Sequence, residues 1–109
     1  MKVYTLVIHA PKSKCKPELK KCFEDYFKTG VGLGYIAKCA SKLPSGSTVV
    51  LIDRDQRLCA KGILVEPLIP TVKTPQQHYN VHFDGQVMVD YADYEKVKLN
   101  HYGVAVLDC

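Results

Sequence analysis

At 109 residues the chain is the size of one domain, and its 47% apolar and 24% charged residues match an ordinary globular protein rather than a disordered one. No apolar run approaches the ~18 residues of a membrane span, and no signal-type apolar region follows Met1. The expectation is a single cytoplasmic domain over residues 1–109 with no membrane partner.

Residues 2–10 (KVYTLVIHA) alternate and are rich in β-branched and aromatic side chains, which predicts a strand. Pro11 ends it, and Pro17 suits the first turn of a helix, where a missing N–H costs nothing. Over residues 18–28 the apolar positions Leu19, Cys22, Phe23, Tyr26 and Phe27 repeat at helical spacing, with Lys20, Lys21, Glu24, Asp25 and Lys28 towards water. Gly30 is the helix stop. The glycine-rich run from Gly30 to Tyr35 reads as a backbone turn in which glycine supplies positive φ. A short helix over residues 36–43 and a turn at Pro44-Ser45-Gly46 follow. Residues 47–53 (STVVLID) and 58–66 (LCAKGILVE) read as strands, and the short polar link from Arg54 to Arg57 makes them an antiparallel hairpin. Pro67, Pro70 and Pro75 make the next dozen residues a loop with extended character. Residues 78–83 and 86–91 flank Asp84-Gly85, a strong hairpin signal, and residues 102–107 form a last strand. The predicted architecture is α+β: a small curled antiparallel or mixed β-barrel with one main N-terminal helix.

Charge is unevenly spread along the chain. Residues 1–42 hold nine Lys against three acids, 9 − 3 = +6, while residues 43–109 hold six basic residues against eight acids, 6 − 8 = −2. A basic half attracts phosphates through its long-range field, although lysine-rich faces also serve simply as solubilising surface. Lys12, Lys14, Lys16, Lys20, Lys21 and Lys38 are the candidate phosphate contacts. The chain has seven Tyr and no Trp. Tyr4, Tyr35 and Tyr79 fall beside the basic half or on predicted strands, where a ring either stacks on a base or fills the core.

Signals for catalysis are weak. Gly32-Leu-Gly34-Tyr-Ile-Ala37 satisfies G-x-G-x-x-A, with Asp53 closing a strand further on, so a nucleotide-using enzyme is one reading. Against it, a helix rather than an apolar strand precedes Gly32, and a hairpin rather than a crossover follows Asp53. Cys15, Cys22, Cys39, Cys59 and Cys109 form no CxxC pair and read as reduced thiols packed as small hydrophobes. His78 and His82, four apart on a strand, stand ~13 Å apart along it, too far to share an ion. Asp90, Asp93 and Glu95 read as a solvated loop. The expectation is a protein with no catalytic residues, no cofactor and no metal.

The order of elements resembles the PUA-like superfamily, which includes the EVE and ASCH domains. The likeness lies in the opening strand, the helix, Thr29-Gly30 leading into Val31-Gly32-Leu33-Gly34, the strand at Pro44-Ser-Gly46-Ser-Thr-Val49-Val50-Leu51-Ile52, and the return strand at Ala60-Lys-Gly62-Ile63. It spans residues 2–66. Such domains are small β-barrels that commonly bind RNA or DNA, several of them holding a modified or flipped base. The resemblance implies a pocket bordered by Gly32, Leu33, Gly34 and Tyr35, with Tyr4 or His9 from the first strand. Ser47 stands where that group usually has Asp, and there is no Trp for the pocket wall. A second resemblance, of residues 79–85 (YNVHFDG) and their flanks to Tudor and other SH3-like modules, implies a protein-interaction module instead. A small mobile-element or phage-type protein that binds a host factor belongs to that same class, and homodimerisation is compatible with either reading.

Overall fold

The computed structural model describes residues 4–10, 23–35, 43–66, 69–70, 79–99 and 103–108. The elements are β1 (Tyr4–His9), α1 (Phe23–Thr29), β2 (Val31–Tyr35), β3 (Thr48–Asp53), β4 (Leu58–Leu64), β5 (Ile69–Pro70), β6 (Tyr79–Val89), a 3-10 turn at Tyr91–Asp93 and β7 (Val104–Asp108). They form a mostly β structure with one α-helix among the described residues. The strands make one curled sheet, a half-barrel in the order β2-β6-β4-β3-β1-β7, with β5 added to β6. Every neighbouring pair is antiparallel except β1 with β3, which run parallel from Thr5 opposite Thr48 to His9 opposite Ile52.

Alternation sorts the side chains into two cores. The inner face gathers Leu6, Ile8, Val49, Leu51, Ala60, Leu64, Val81, Phe83 and Val104, and Phe23 and Tyr26 of α1 cover them. The outer face gathers Val7, Val50, Ile52 and Cys59 under Tyr91, Tyr94, Val97 and Leu99. The predicted hairpin β3–β4 forms in full register from Thr48 opposite Ile63 to Asp53 opposite Leu58.

Two expectations change. The expected hairpin at Asp84-Gly85 is absent, and β6 runs straight through it from Tyr79 to Val89. Ile63 faces Asp84 while Lys61 faces Val87, so Gly85 and Gln86 together oppose Gly62 as a β-bulge. Gly85 takes φ +65° there, the same left-handed conformation a tight hairpin would have demanded. The Tudor-like reading loses its turn by the same fact. The glycine run after the helix is a strand rather than a turn: β2 pairs antiparallel with β6, Gly32 opposite Val81, and in that run only Gly30 has positive φ, +74°. Gly32 and Gly34 therefore do not form the strand-to-helix turn that a dinucleotide fold requires. In the Pro-rich segment, read as a loop with extended character, Ile69 and Pro70 form the two-residue strand β5, with Ile69 opposite Asn80. The helix expected over residues 18–28 is described from Phe23 to Thr29; the remainder, and the short helix expected over 36–43 up to residue 42, lie outside the described residues.

Candidate functional site

The expected pocket draws on β1 and β2. These strands are not neighbours, since β6, β4 and β3 stand between them in the sheet. Tyr4 and His9 are five residues apart on β1, which puts them on opposite faces. Tyr4 packs half-buried against the inner core. His9 is half-buried on the outer face, and its Nε2 accepts the Arg54 backbone N–H at 3.3 Å. A pocket on either face can therefore take one of the two. Gly32 is buried in the β2–β6 ladder, and at the end of that ladder Tyr35 stands opposite Tyr79. Leu33 and Gly34 lie in β2 between them. Lys12, Lys14, Lys16, Lys20, Lys21 and Lys38 lie outside the described residues. Lys28, from the same basic half, is exposed in the last turn of α1.

The end of α1 is tied to β6 by polar contacts that no sequence motif announced. Gly30 N–H donates to Tyr26 C=O at 2.8 Å, and Thr29 Oγ1 donates to Asp25 C=O at 2.8 Å. Gln86 Nε2 reaches from the bulge to Phe27 C=O at 2.7 Å. The extra residue of the bulge turns Gln86 to the inner face, where these orphan helix carbonyls need donors. Gln86 Oε1 is buried with no hydrogen-bond partner among the described residues.

The β3–β4 turn organises a second cluster. Asp53, fully buried, accepts from the backbone N–H of Asp55 at 2.9 Å, that of Gln56 at 3.2 Å and from Gln56 Nε2 at 2.6 Å. This Asx-type network fixes the turn and presents its two arginines. Arg57 lies 4.9 Å above the Tyr91 ring and 3.4 Å from Glu95, while Arg54 Nη2 donates to Val97 C=O. Residues 90–99, whose Asp90, Asp93 and Glu95 read from sequence as a solvated loop, are thus a strap clamped over the outer core; Asp90 begins it by accepting the Ala92 N–H at 3.0 Å. The only signal in the sequence was three apolar or aromatic residues, Tyr91, Tyr94 and Val97, three apart.

Comparison with family models, with curated proteins and with solved structures finds no match.

Among the described residues no group of three or more His, Cys, Asp or Glu stands close enough to hold a metal ion. His82 sits on β6 with Nδ1 3.9 Å from Glu66 Oε1, a half-exposed pair of small energetic worth; His78 lies outside the described residues. Cys59 is buried in the outer core, and burial followed by the nearby Asp93 charge pushes its thiol up to about 11. A thiol so far from its thiolate is a poor nucleophile, as expected for a cysteine packed as a small hydrophobe. Cys15, Cys22, Cys39 and Cys109 lie outside the described residues.

Proposed function

We propose that this chain is a cytoplasmic, non-catalytic nucleic-acid-binding domain of PUA-like type, with RNA or DNA as its partner. The observation that carries this reading is the +6 charge gathered in residues 1–42 against −2 in the remainder, 6 − 2 = +4 for the whole chain. Such a dipolar distribution steers and holds a polyanion without any dedicated catalytic group. The fold supports it: one helix on the inner face of a curled mixed sheet is the frame in which PUA-like domains hold nucleic acid. Tyr35 and Tyr79 are register partners at the end of the β2–β6 ladder, two residues of a type that stacks on bases, with lysines bracketing β2 in sequence.

The test is binding of short labelled RNA and DNA, single- and double-stranded, at two salt concentrations. Affinity should fall steeply with salt, by a slope of roughly 0.7–0.9 per phosphate neutralised. Lys14→Glu, Lys16→Glu and Lys20→Glu together should abolish binding and flatten that slope while leaving circular dichroism unchanged. Unchanged affinity in the folded triple variant would overturn the reading.

A further inference from the structure

Asp84-Gly85 is the one Asp-Gly step in the chain, and neither asparagine precedes a glycine. An aspartyl residue closes on itself when the next residue's amide nitrogen reaches its side-chain carboxyl carbon. Glycine in second place permits this best, because it has no Cβ to shield its nitrogen. The bulge of β6 favours that closure. Asp84 and Gly85 are both exposed. Gly85 N–H donates to Asp84 Oδ1 at 2.8 Å, so the carboxyl group already lies against the nitrogen it has to meet. A Cβ built on Gly85 meets nothing within 4 Å, so no neighbour crowds that side of the step. Gly85 and Gln86 together oppose Gly62, which spares this step the one-to-one pairing of the flanking strand. Asp53 and Asp90 aim further along the chain, Asp53 at the N–H groups of Asp55 and Gln56 and Asp90 at that of Ala92.

We propose that Asp84 is a self-modification site, converting to isoaspartate within the folded chain and thereby unseating β6. Gly85 N attacks Cγ of the Asp84 carboxylic acid. The new N–Cγ bond closes a five-membered imide, and the amide proton leaves with the carboxyl hydroxyl as water. A second water then opens the ring. Addition at Cγ restores aspartate; addition at the main-chain carbonyl carbon leaves Gly85 attached through Cγ and frees that carbonyl as a carboxylate. No electrons are transferred, and the product keeps the mass and charge of the starting chain. Its backbone is one methylene longer between Phe83 and Gly85. That length does not fit β6, where Phe83 stands opposite Leu64, Asp84 opposite Ile63, and Phe83 N–H is held by Gly30 C=O. The Asp84 carbonyl oxygen lies 3.0 Å from where a Cβ on Gly62 would stand, so a carboxylate in its place is crowded. The isomer slips the β4–β6 register and draws Gln86 away from Phe27 C=O. The freed carboxylate also makes the aged chain a substrate for carboxyl methylation of the isoaspartyl-repair class. The site belongs to the bulge and is independent of the nucleic-acid reading.

The test is to age the whole chain at body temperature in neutral buffer, beside a second sample in urea, until the urea sample carries isoaspartate at residue 84. Isoaspartate is measured by methylation with an isoaspartyl methyltransferase and placed by fragment mass spectrometry. The native chain should gather it at residue 84 ahead of every other aspartate. The isoaspartyl fraction, separated chromatographically, should melt below the unaged chain. Gly85→Ala, its fold confirmed by circular dichroism, should slow the native reaction about tenfold, an added barrier of about 1.4 kcal/mol. A native chain without isoaspartate at residue 84 would overturn the proposal, because the ladder would then be holding nitrogen and carboxyl apart. An unchanged rate in Gly85→Ala, or an isomer that melts like the unaged chain, would overturn it as well.

Discussion

Phe83 donates its backbone N–H to Gly30 C=O at 2.8 Å, and a Cβ placed on Gly30 would fall 2.5 Å from the Phe83 carbonyl oxygen. The last turn of the helix is thereby seated directly on the backbone of the long strand. Gly30, at φ +74°, serves two ends at once: it closes α1 in the left-handed conformation and admits the strand where no side chain fits.

Gly30→Ala should therefore be among the most damaging single changes in the chain. It combines left-handed strain with a backbone clash, and a loss of about 2–4 kcal/mol is expected. Urea unfolding followed by circular dichroism measures it as a lowered midpoint at unchanged slope. A loss below about 1 kcal/mol would mean that α1 and β6 separate easily.

The bulge glycines should respond for opposite reasons. Gly85 has φ +65°, and a Cβ added there would meet nothing within 4 Å, so Gly85→Ala costs only backbone strain, about 1 kcal/mol, and Gly85→Asn less. Gly62 lacks positive φ but would bring a Cβ to 3.0 Å from Asp84 C=O and 3.2 Å from the Phe83 ring. Gly62→Ala should fail by crowding, and Gly62→Asn, being larger, should be worse than Gly62→Ala. Thermal melts of the four variants give the comparison; Asn better than Ala at both positions, or at neither, would contradict the bulge geometry.

The contrast explains what the sequence could reveal. Residues 47–66 were legible because two alternating apolar runs flank a polar turn, and each signal is local. Asp84-Gly85 misled because a hairpin turn and a glycine bulge both require left-handed backbone at one residue; only the distant partner Gly62 decides between them. The parallel pairing of β1 with β3 was invisible for the same reason, since it joins strands that are 43 positions apart at Thr5 and Thr48. The strap over residues 90–99 carries only the short run Tyr91, Tyr94 and Val97 at a spacing of three, too brief to mark a covering segment, and its clamps, Arg54 and Arg57, lie in the β3–β4 hairpin. Of the candidate site, the inert character of Cys59 was legible from its burial-prone residue type, while the division of Tyr4 and His9 between two faces followed once β1 was known to be regular.

Cys59 makes stability fall at alkaline pH. Its thiol is raised from an ordinary 9.0 to about 11, so between those values the unfolded chain releases a proton that the folded chain keeps. The contribution is fully present below pH 9 and is lost as pH rises towards 11, by roughly 2 kcal/mol at most. Tyrosines and lysines titrate in the same range, so the readout is the difference between wild type and Cys59→Ala. The stability gap between them should narrow from pH 8 to pH 11, and a constant gap would show that the buried thiol ionises as it does in water.

The same thiol reports on the strap. Cys59 lies beneath Tyr91, Tyr94 and Val97, so alkylation requires residues 90–99 to lift. Peptide-resolved mass spectrometry after iodoacetamide treatment at pH 8 follows Cys59 separately from the other cysteines. Modification should be at least 100-fold slower in the native chain than in urea. Arg54→Ala removes the donor to Val97 C=O and should speed it about tenfold, equivalent to 1.4 kcal/mol of lost closure. Arg57→Ala breaks an exposed pair with Glu95, at 65% and 42% side-chain exposure, together with the contact to the Tyr91 ring, and should change the rate less than threefold. Equal rates in wild type and Arg54→Ala would mean that the apolar contacts alone hold the strap down, and the arginines only decorate it.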